Sequence, residues 1–255
     1  MNRLFQPVRF DRTEVVWMYK NRSETVYKGY YHWHQCCEVY FVHEGQGTVV
    51  LNRQPYEIRR GMLFIFHPYQ LHHIYATVSP ERPLVRTLFH FYPHAAEERL
   101  KPFPRKLAQF AALWVNRNRN LAFDLSGRAE AVEWALEAYE RNKENSEDFT
   151  LLLLQLLAAI EPAQADEAFA GPAAGGGIRS RHAERVMAWI EEHLTEEFGL
   201  EDLARELHLA PGYVSRLFRE ETGAGIAEYT AARRMQQACH LLAATDLAVA
   251  EIGAR

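Results

Sequence analysis

The sequence predicts an α+β chain of two domains, an amino-terminal antiparallel β-barrel with trailing helices and a carboxy-terminal all-α unit. Three observations predict it. Short β-rich runs punctuated by Gly and Pro fill the chain up to about Pro93. From Pro104 the apolar period becomes helical. Between the two regimes of the carboxy-terminal half, Pro162 to Gly177 reads PAQADEAFAGPAAGGG, poor in large apolar groups and ending in three glycines, the composition of a flexible linker. The expected boundaries are therefore a first domain over 1–161, a linker over 162–180 and a second domain over 181–255.

In the first domain, Glu38–Val42 and Gly47–Leu51 flank Glu44-Gly45-Gln46, a Gly-containing turn of hairpin length, so a hairpin is expected there. Met62 to Phe66, Ile74 to Val78 and Val85 to Phe91 continue the series, separated by Gly61, Pro68, Pro80 and Pro83. Strands this close together, without helices between them, suggest a small antiparallel barrel or sandwich. Further on, Ala129, Val132, Leu136 and Tyr139 form one helical stripe opposite Glu130, Glu133, Glu137 and Glu140. Leu151 to Leu157 is apolar nearly all round and needs burial on more than one side, against the preceding helix, the barrel or a second subunit.

Composition bounds the function. With 48% hydrophobic residues, 24% charged and a net charge of −4, the 255-residue chain is globular and not basic throughout. The start lacks the apolar core of a signal peptide, and the most apolar stretch, Phe149 to Ile160, is too short to span a bilayer. A cytoplasmic protein with no membrane partner is the expectation. Cys36 and Cys37 are adjacent and point to opposite faces of a strand, which suits reduced, structural thiols. There is no GxSxG elbow and no phosphate-cradling loop, so nucleophilic and nucleotide chemistry have no support.

The second domain carries helical spacing over His182 to Leu194, Leu200 to Leu207, Pro211 to Glu221 and Ile226 to Ala243, with another helix beginning at Val249. Two short helices packed steeply need apolar residues at fixed places and a small residue where their backbones meet. Leu203, Ala204, Leu207, Leu209, Val214 and Leu217 supply that set, with Ala204 at the contact. The second helix is left with a free face of Gly212, Tyr213, Ser215, Arg216 and Arg219, which we take as the DNA-binding residues. Arg216 and Arg219 are one turn apart, and a guanidinium matches guanine O6 and N7 in a major groove.

Val186 to Arg255, with Leu203-Ala204-Arg205-Glu206-Leu207 and Pro211-Gly212-Tyr213-Val214-Ser215-Arg216-Leu217-Phe218-Arg219 followed by Gly223, Tyr229, Arg234 and Leu241-Leu242, resembles the DNA-binding domain of AraC/XylS-type transcription regulators. The resemblance implies two helix-turn-helix units joined by a long helix, here Ile226 to Ala243. Where that family places Ser or Thr before each helix of the first unit, this sequence has Gly199 and Ala210. Ala in place of a hydroxyl cap costs about 1 kcal/mol, offset in part by Pro211. The second unit is expected to be incomplete, its turn and reading helix falling beyond Arg255. From Ile178 onward there are nine Arg, no Lys and thirteen acidic residues, a charge of −4. Attraction to phosphate then falls to Arg216, Arg219 and Arg233, and binding of this chain to double-stranded DNA is expected to be weak.

Most of the histidines precede His94. His32, His34 and Glu38, followed by Gly45, Gly61, Pro68 and His73, resemble the two motifs of the cupin barrel, in which two His, a Glu and a third His can hold a divalent metal. Gln70 stands where that pattern has Gly, which puts the turn before His73 in question. In sensor domains of AraC-type regulators this arrangement usually serves packing or ligand hydrogen bonds. The expectation is accordingly no cofactor and no metal; His32, His34, Glu38 and His73 would be the ligands if one were present. Of Trp33, Tyr40, Phe64, Phe66, Phe89 and Phe91, about half can face an interior cavity by strand alternation. An aromatic wall with His and Glu suits a small polar, ring-shaped molecule such as a sugar, and His32, His34, Glu38, Tyr40 and His73 are the effector-binding candidates.

The function expected is a non-enzymatic, effector-responsive transcription regulator, a homodimer through the helices near 126–160. The alternative is a metal-dependent cupin enzyme with an accessory helical domain.

Overall fold

Strand alternation in the first half of the chain builds two cores from one sheet. The computed structural model describes residues 6, 8–10, 16–25, 27, 29, 31–51, 54–68, 70–115, 121–142, 146–165, 182–222, 224–245 and 247–253. Two units are present, one over residues 6–174 and another that contains residues 175–255.

In the first unit the described strands are β1 (Val16–Ser23), β2 (Cys37–Glu44), β3 (Gly47–Leu51), β4 (Gln54–Ile58), β5 (Met62–Phe66), β6 (His72–Ala76), β7 (Leu84–Phe91) and β8 (Leu121–Asp124). They form a five-stranded sheet, β1-β7-β2-β5-β8, and a three-stranded sheet, β4-β3-β6. All pairings are antiparallel. Period two decides what each residue meets. Val39, Phe41, Leu63, Ile65, Phe89 and Phe91 face the helices, whereas Tyr40, Val42, Phe64, Phe66 and Leu88 face the other sheet. The six-aromatic set therefore splits as expected, with Tyr40, Phe64 and Phe66 inside the barrel.

The expected hairpin is not one. β2 pairs with β5 and β7, while β3 pairs with β4 and β6, so the turn at Gly45 carries the chain from one sheet to the other. Gly45 has φ +120°, and a Cβ there would stand 2.9 Å from Pro83 O. A local turn signal marks the bend but not the partner across it. β6 also begins two residues earlier than the Ile74 start read from sequence. β1 and β4 were not among the expected strands, and β8 lies in the stretch read as helical.

Helices α1 (Pro93–Leu100), α2 (Pro104–Val115), α3 (Ala129–Asn142) and α4 (Ser146–Ala165) follow. Helical structure thus starts eleven residues before Pro104. Ala129, Val132, Leu136 and Tyr139 are buried, as their stripe requires. Phe149, Leu152, Leu153, Leu156, Leu157 and Ile160 of α4 join the same core, while Leu151 stays 51% exposed. α4 runs on to Ala165, so the first four residues assigned to the linker are helical; residues 166–181 lie outside the described set. Cys36 and Cys37 are free and buried, and burial pushes the Cys36 thiol up to about 12.

The second unit is helical throughout its described residues: α5 (His182–Glu192), α6 (Leu200–Glu206), α7 (Pro211–Thr222), α8 (Ile226–Ala244) and α9 (Val249–Gly253). Helices start directly after Gly199 and Ala210, the positions read as caps. Asp202 Oδ2, from the third helical residue, accepts the Gly199 N–H at 2.9 Å, the half of a capping box that needs no side chain at the cap. Ala183, Val186, Met187, Ile190, Leu203, Ala204, Val214 and Phe218 are buried, and Phe218 meets Tyr229 edge-on at 5.6 Å. No helix among the described residues is long and apolar enough to cross a membrane.

Candidate functional site

On α7 the buried residues Val214, Leu217 and Phe218 take the inner face. Gly212, Tyr213, Arg216 and Arg219 are exposed on the outer one, and Ser215 is half-buried. Tyr213 is 40% exposed, and the Arg216 guanidinium stands 5.7 Å from its ring. Arg216 approaches Glu220 only at 3.9 Å with both side chains largely exposed, a contact worth little. The turn before α7 closes tightly. His208 N–H donates to Arg205 O at 3.1 Å and Leu209 N–H to Ala204 O at 3.0 Å, with His208 at φ +55°. That pair of bonds around a left-handed residue is the Schellman ending of α6, and it sets the angle at which α7 departs.

Arg233 is not available for phosphate. Its guanidinium holds Glu191 with both Nε and Nη2, the latter at 2.6 Å, and Tyr229 Oη donates to the same carboxylate at 3.1 Å. Arg233 therefore joins α8 to α5. Arg234 donates to Leu194 O at 2.9 Å and Glu196 O at 2.6 Å, satisfying carbonyls that follow the end of α5. Sequence spacing had no means of telling these two arginines from free ones.

The second cluster lies inside the barrel. β2 turns Glu38 inward, where it faces His90 of β7 in direct register. His32 forms an isolated bridge with His72, each backbone N–H donating to the other's carbonyl at 3.0 Å, and the two rings lie 4.2 Å apart. His34 Nε2 comes within 2.8 Å of Glu38 Oε2, His90 Nε2 within 3.1 Å and His72 Nε2 within 3.6 Å. Burial pushes the Glu38 carboxyl up, but the charge of His90 and hydrogen bonds from three imidazoles hold it well below the usual range. Burial likewise opposes charge on His34, yet Glu38 outweighs it and the imidazole is raised.

His73 does not belong to this group. Alternation on β6 sends His72 inward and His73 to the opposite face, where its ring meets Tyr31 at 4.6 Å and Tyr75 at 3.6 Å. The third histidine expected at 73 is thus found at 72. Gln70, standing where Gly was expected, closes the preceding turn itself: its Oε1 accepts the His67 N–H at 3.0 Å, and its carbonyl accepts from His72 Nδ1 at 2.9 Å. Tyr40 is wholly buried in the barrel core beside Phe64 and Phe66 rather than lining the cavity.

Ligand atoms of His32, His34, Glu38 and His72 all lie within 4.8 Å of one another. A carbonyl can only accept, so the contacts of His34 Nδ1 with Gln6 O (2.7 Å) and of His72 Nδ1 with Gln70 O (2.9 Å) place those hydrogens on Nδ1. Each Nε2 faces Glu38 Oε2, donating to it when the ring is an imidazolium and open to a cation when the ring is neutral. The arrangement fits a divalent first-row metal, whose histidine ligands are commonly held this way. It equally fits protons shared with Glu38.

Beside the cluster is a cavity of about 440 Å³. His32, His34, Glu38 and His90 form one wall; Tyr19, Tyr27, Ile74, Arg86 and Leu88 form the others. Gln6, Val8 and Arg9 from the segment preceding β1 complete it. That segment is tied to the His34 loop by Gln6 N–H to Trp33 O at 3.0 Å and Val8 N–H to Gln35 Oε1 at 3.2 Å. Sequence reasoning missed His72, His90 and Arg86. Residue period on each strand would have offered them, but only once the pairing of β2 with β7 was known.

Comparison with known proteins adds a family. Residues 19–171 match the AraC-like ligand binding domain and residues 203–255 a helix-turn-helix domain. Over 238 residues the chain is 25% identical to the HTH-type transcriptional activator RhaR of Yersinia pestis bv. Antiqua (strain Angola), covering 88% of this chain and 75% of that protein. A 70-residue stretch is 34% identical to the uncharacterized HTH-type transcriptional regulator YtdP of Bacillus subtilis (strain 168), covering 28% of this chain and 9% of that one. Among solved structures, ToxT from Vibrio cholerae O395 aligns over 89% of this chain and 82% of its own, at 8% identity and a TM-score of 0.39.

Proposed function

The chain belongs to the AraC-like family of transcription regulators, and from that premise we propose that α7 reads double-stranded DNA while a small polar molecule in the amino-terminal barrel sets the output. The observation that carries the DNA half is the division of α7: Val214, Leu217 and Phe218 are spent on the core, so Tyr213, Arg216 and Arg219 are left to project together. A helix so divided can enter a major groove with its arginines toward base edges. Gly212 lets the backbone approach the duplex, and Ser215 reaches phosphate or base from the flank.

For the barrel half, His32, His34 and Glu38 from the sequence reading line the cavity, with His90 added. Tyr40 and His73, the other two candidates, have no place in its wall. Dimerisation fits the exposed side of α3 and α4, where Trp134 is 58% exposed and Leu151 lies near it around a shared groove with Gln155. A second copy of the chain seated there would cover both, and pairing tethers two reading helices so that the second binds at high effective concentration.

The test is binding of the full chain to pooled random duplexes at low ionic strength, followed by fluorescence anisotropy. Arg216→Ala and Arg219→Ala should each weaken binding about 5- to 150-fold, from a loss of about 1–3 kcal/mol per base contact. A side chain that contacts phosphate instead should lower the salt slope by about one. Unchanged affinity in the folded double variant would remove α7 from the interface.

A second reading, a metal-dependent enzyme, is favoured by the convergence of His32, His34, Glu38 and His72. A metal held there would supply a Lewis acid able to polarise a bound hydroxyl or carbonyl. Stoichiometric metal retained after purification, together with a turnover that His34→Ala abolishes, would favour the enzyme.

A further inference from the structure

We propose that the barrel cavity is built for a small carboxylate, gripped by the guanidinium of Arg86. This names the ligand class of the effector site proposed above and rests on that reading. Arg86 stands on β7 two residues from Leu88 and four from His90, so alternation sends all three side chains into the barrel. It is only 6% exposed. Nη1 donates to Ser23 Oγ at 3.0 Å and reaches Leu84 O at 3.5 Å, and the ring of Tyr27 lies 4.6 Å from the guanidinium carbon. Nε is buried with no hydrogen-bond partner among the described residues.

The missing component is a counter-charge. Among the residues that line the cavity Glu38 is the one acid, and its carboxylate is already surrounded by His34, His72 and His90. A buried lysine could shed its proton, but a guanidinium cannot. Buried charges are kept where an opposite charge meets them. Nε and the terminal nitrogen beside it form the edge of the guanidinium that matches the two oxygens of a carboxylate. One further group points the same way: Arg9 brings a second cation to the wall. The rest of the wall, Tyr19, Tyr27, Ile74 and Leu88, offers surface for a ring or short carbon body. The volume is that of an ordinary small-molecule site. A sugar acid or an aromatic acid has the required parts, whereas a neutral sugar leaves Arg86 unanswered.

The experiment compares matched probes on the full chain at constant ionic strength: D-glucuronate against D-glucose, and benzoate against benzyl alcohol, each titrated to 10 mM and followed by thermal shift and calorimetry. At least one carboxylate should raise Tm while its neutral partner does not. Arg86→Met should weaken that binding tenfold or more, and Arg86→Lys, which keeps the charge but loses the fork, should give an intermediate loss. Because the ligand-free guanidinium has no counter-charge among the described residues, the Tm of ligand-free Arg86→Met should be no lower than wild type, a result that a purely structural arginine would not give. Stabilisation by a neutral probe that persists in Arg86→Met would overturn the carboxylate while leaving the barrel an effector site. Absence of stabilisation by every probe would overturn both.

Discussion

Glu38 is the residue on which the barrel interior turns. Three histidines from three separate segments converge on one oxygen, Oε2, of a carboxylate that is 1% exposed. Replacing it by Gln keeps the shape but removes the charge-assisted acceptor from His90 and from His34. Glu38→Gln should therefore destabilise the chelator-treated protein by about 1–3 kcal/mol in urea unfolding. A variant as stable as wild type would show that the histidines find other partners. The sequence spacing His-x-His followed by Glu names three members of the four-residue cluster, His32, His34 and Glu38, because residues within one short segment keep their relative faces. The fourth was misplaced by one residue, and one residue on a strand is the difference between inside and outside. His90 and Arg86 were illegible for a different reason: each reaches the cluster through the pairing of β7 with β2, a contact that no local pattern encodes.

At the scale of elements, helices were legible and sheet partners were not. The boundaries of α5 to α8 read from periodicity lie within two residues of the observed ones, since helical hydrogen bonds and amphipathic stripes are local. The β2–β3 turn shows the converse, as a glycine bend that connects two sheets instead of two paired strands. The tight corners of the fold can be tested directly. Gly61 has φ +84°, its carbonyl accepts the Leu125 N–H at 2.9 Å, and a Cβ there would sit 2.5 Å from Ser126 Cα. Gly61→Ala combines a left-handed penalty of about 1–2 kcal/mol with backbone displacement of β5 from β8. A total loss of about 2–4 kcal/mol in chemical denaturation is expected, overpacking supplying the rest. A loss below about 0.5 kcal/mol would mean that the β5–β8 corner yields at little cost.

At the scale of the whole molecule, the proposed function uses two regions, residues 19–171 that match the AraC-like ligand binding domain and residues 203–255 that match a helix-turn-helix domain. The proposed pairing through Trp134 and Leu151 would give each assembly two copies of α7. Two tethered readers favour DNA carrying two half-sites spaced by one helical turn or a multiple of it. The most direct measurement is selection of bound sequences from a random duplex library by the full chain at low ionic strength, repeated with the Arg216→Ala/Arg219→Ala variant. The account predicts a shared sequence motif enriched by the wild type, present twice when the chain is dimeric and lost in the variant. Recovery of the same motif by the variant, or of no motif by the folded wild type, would contradict it.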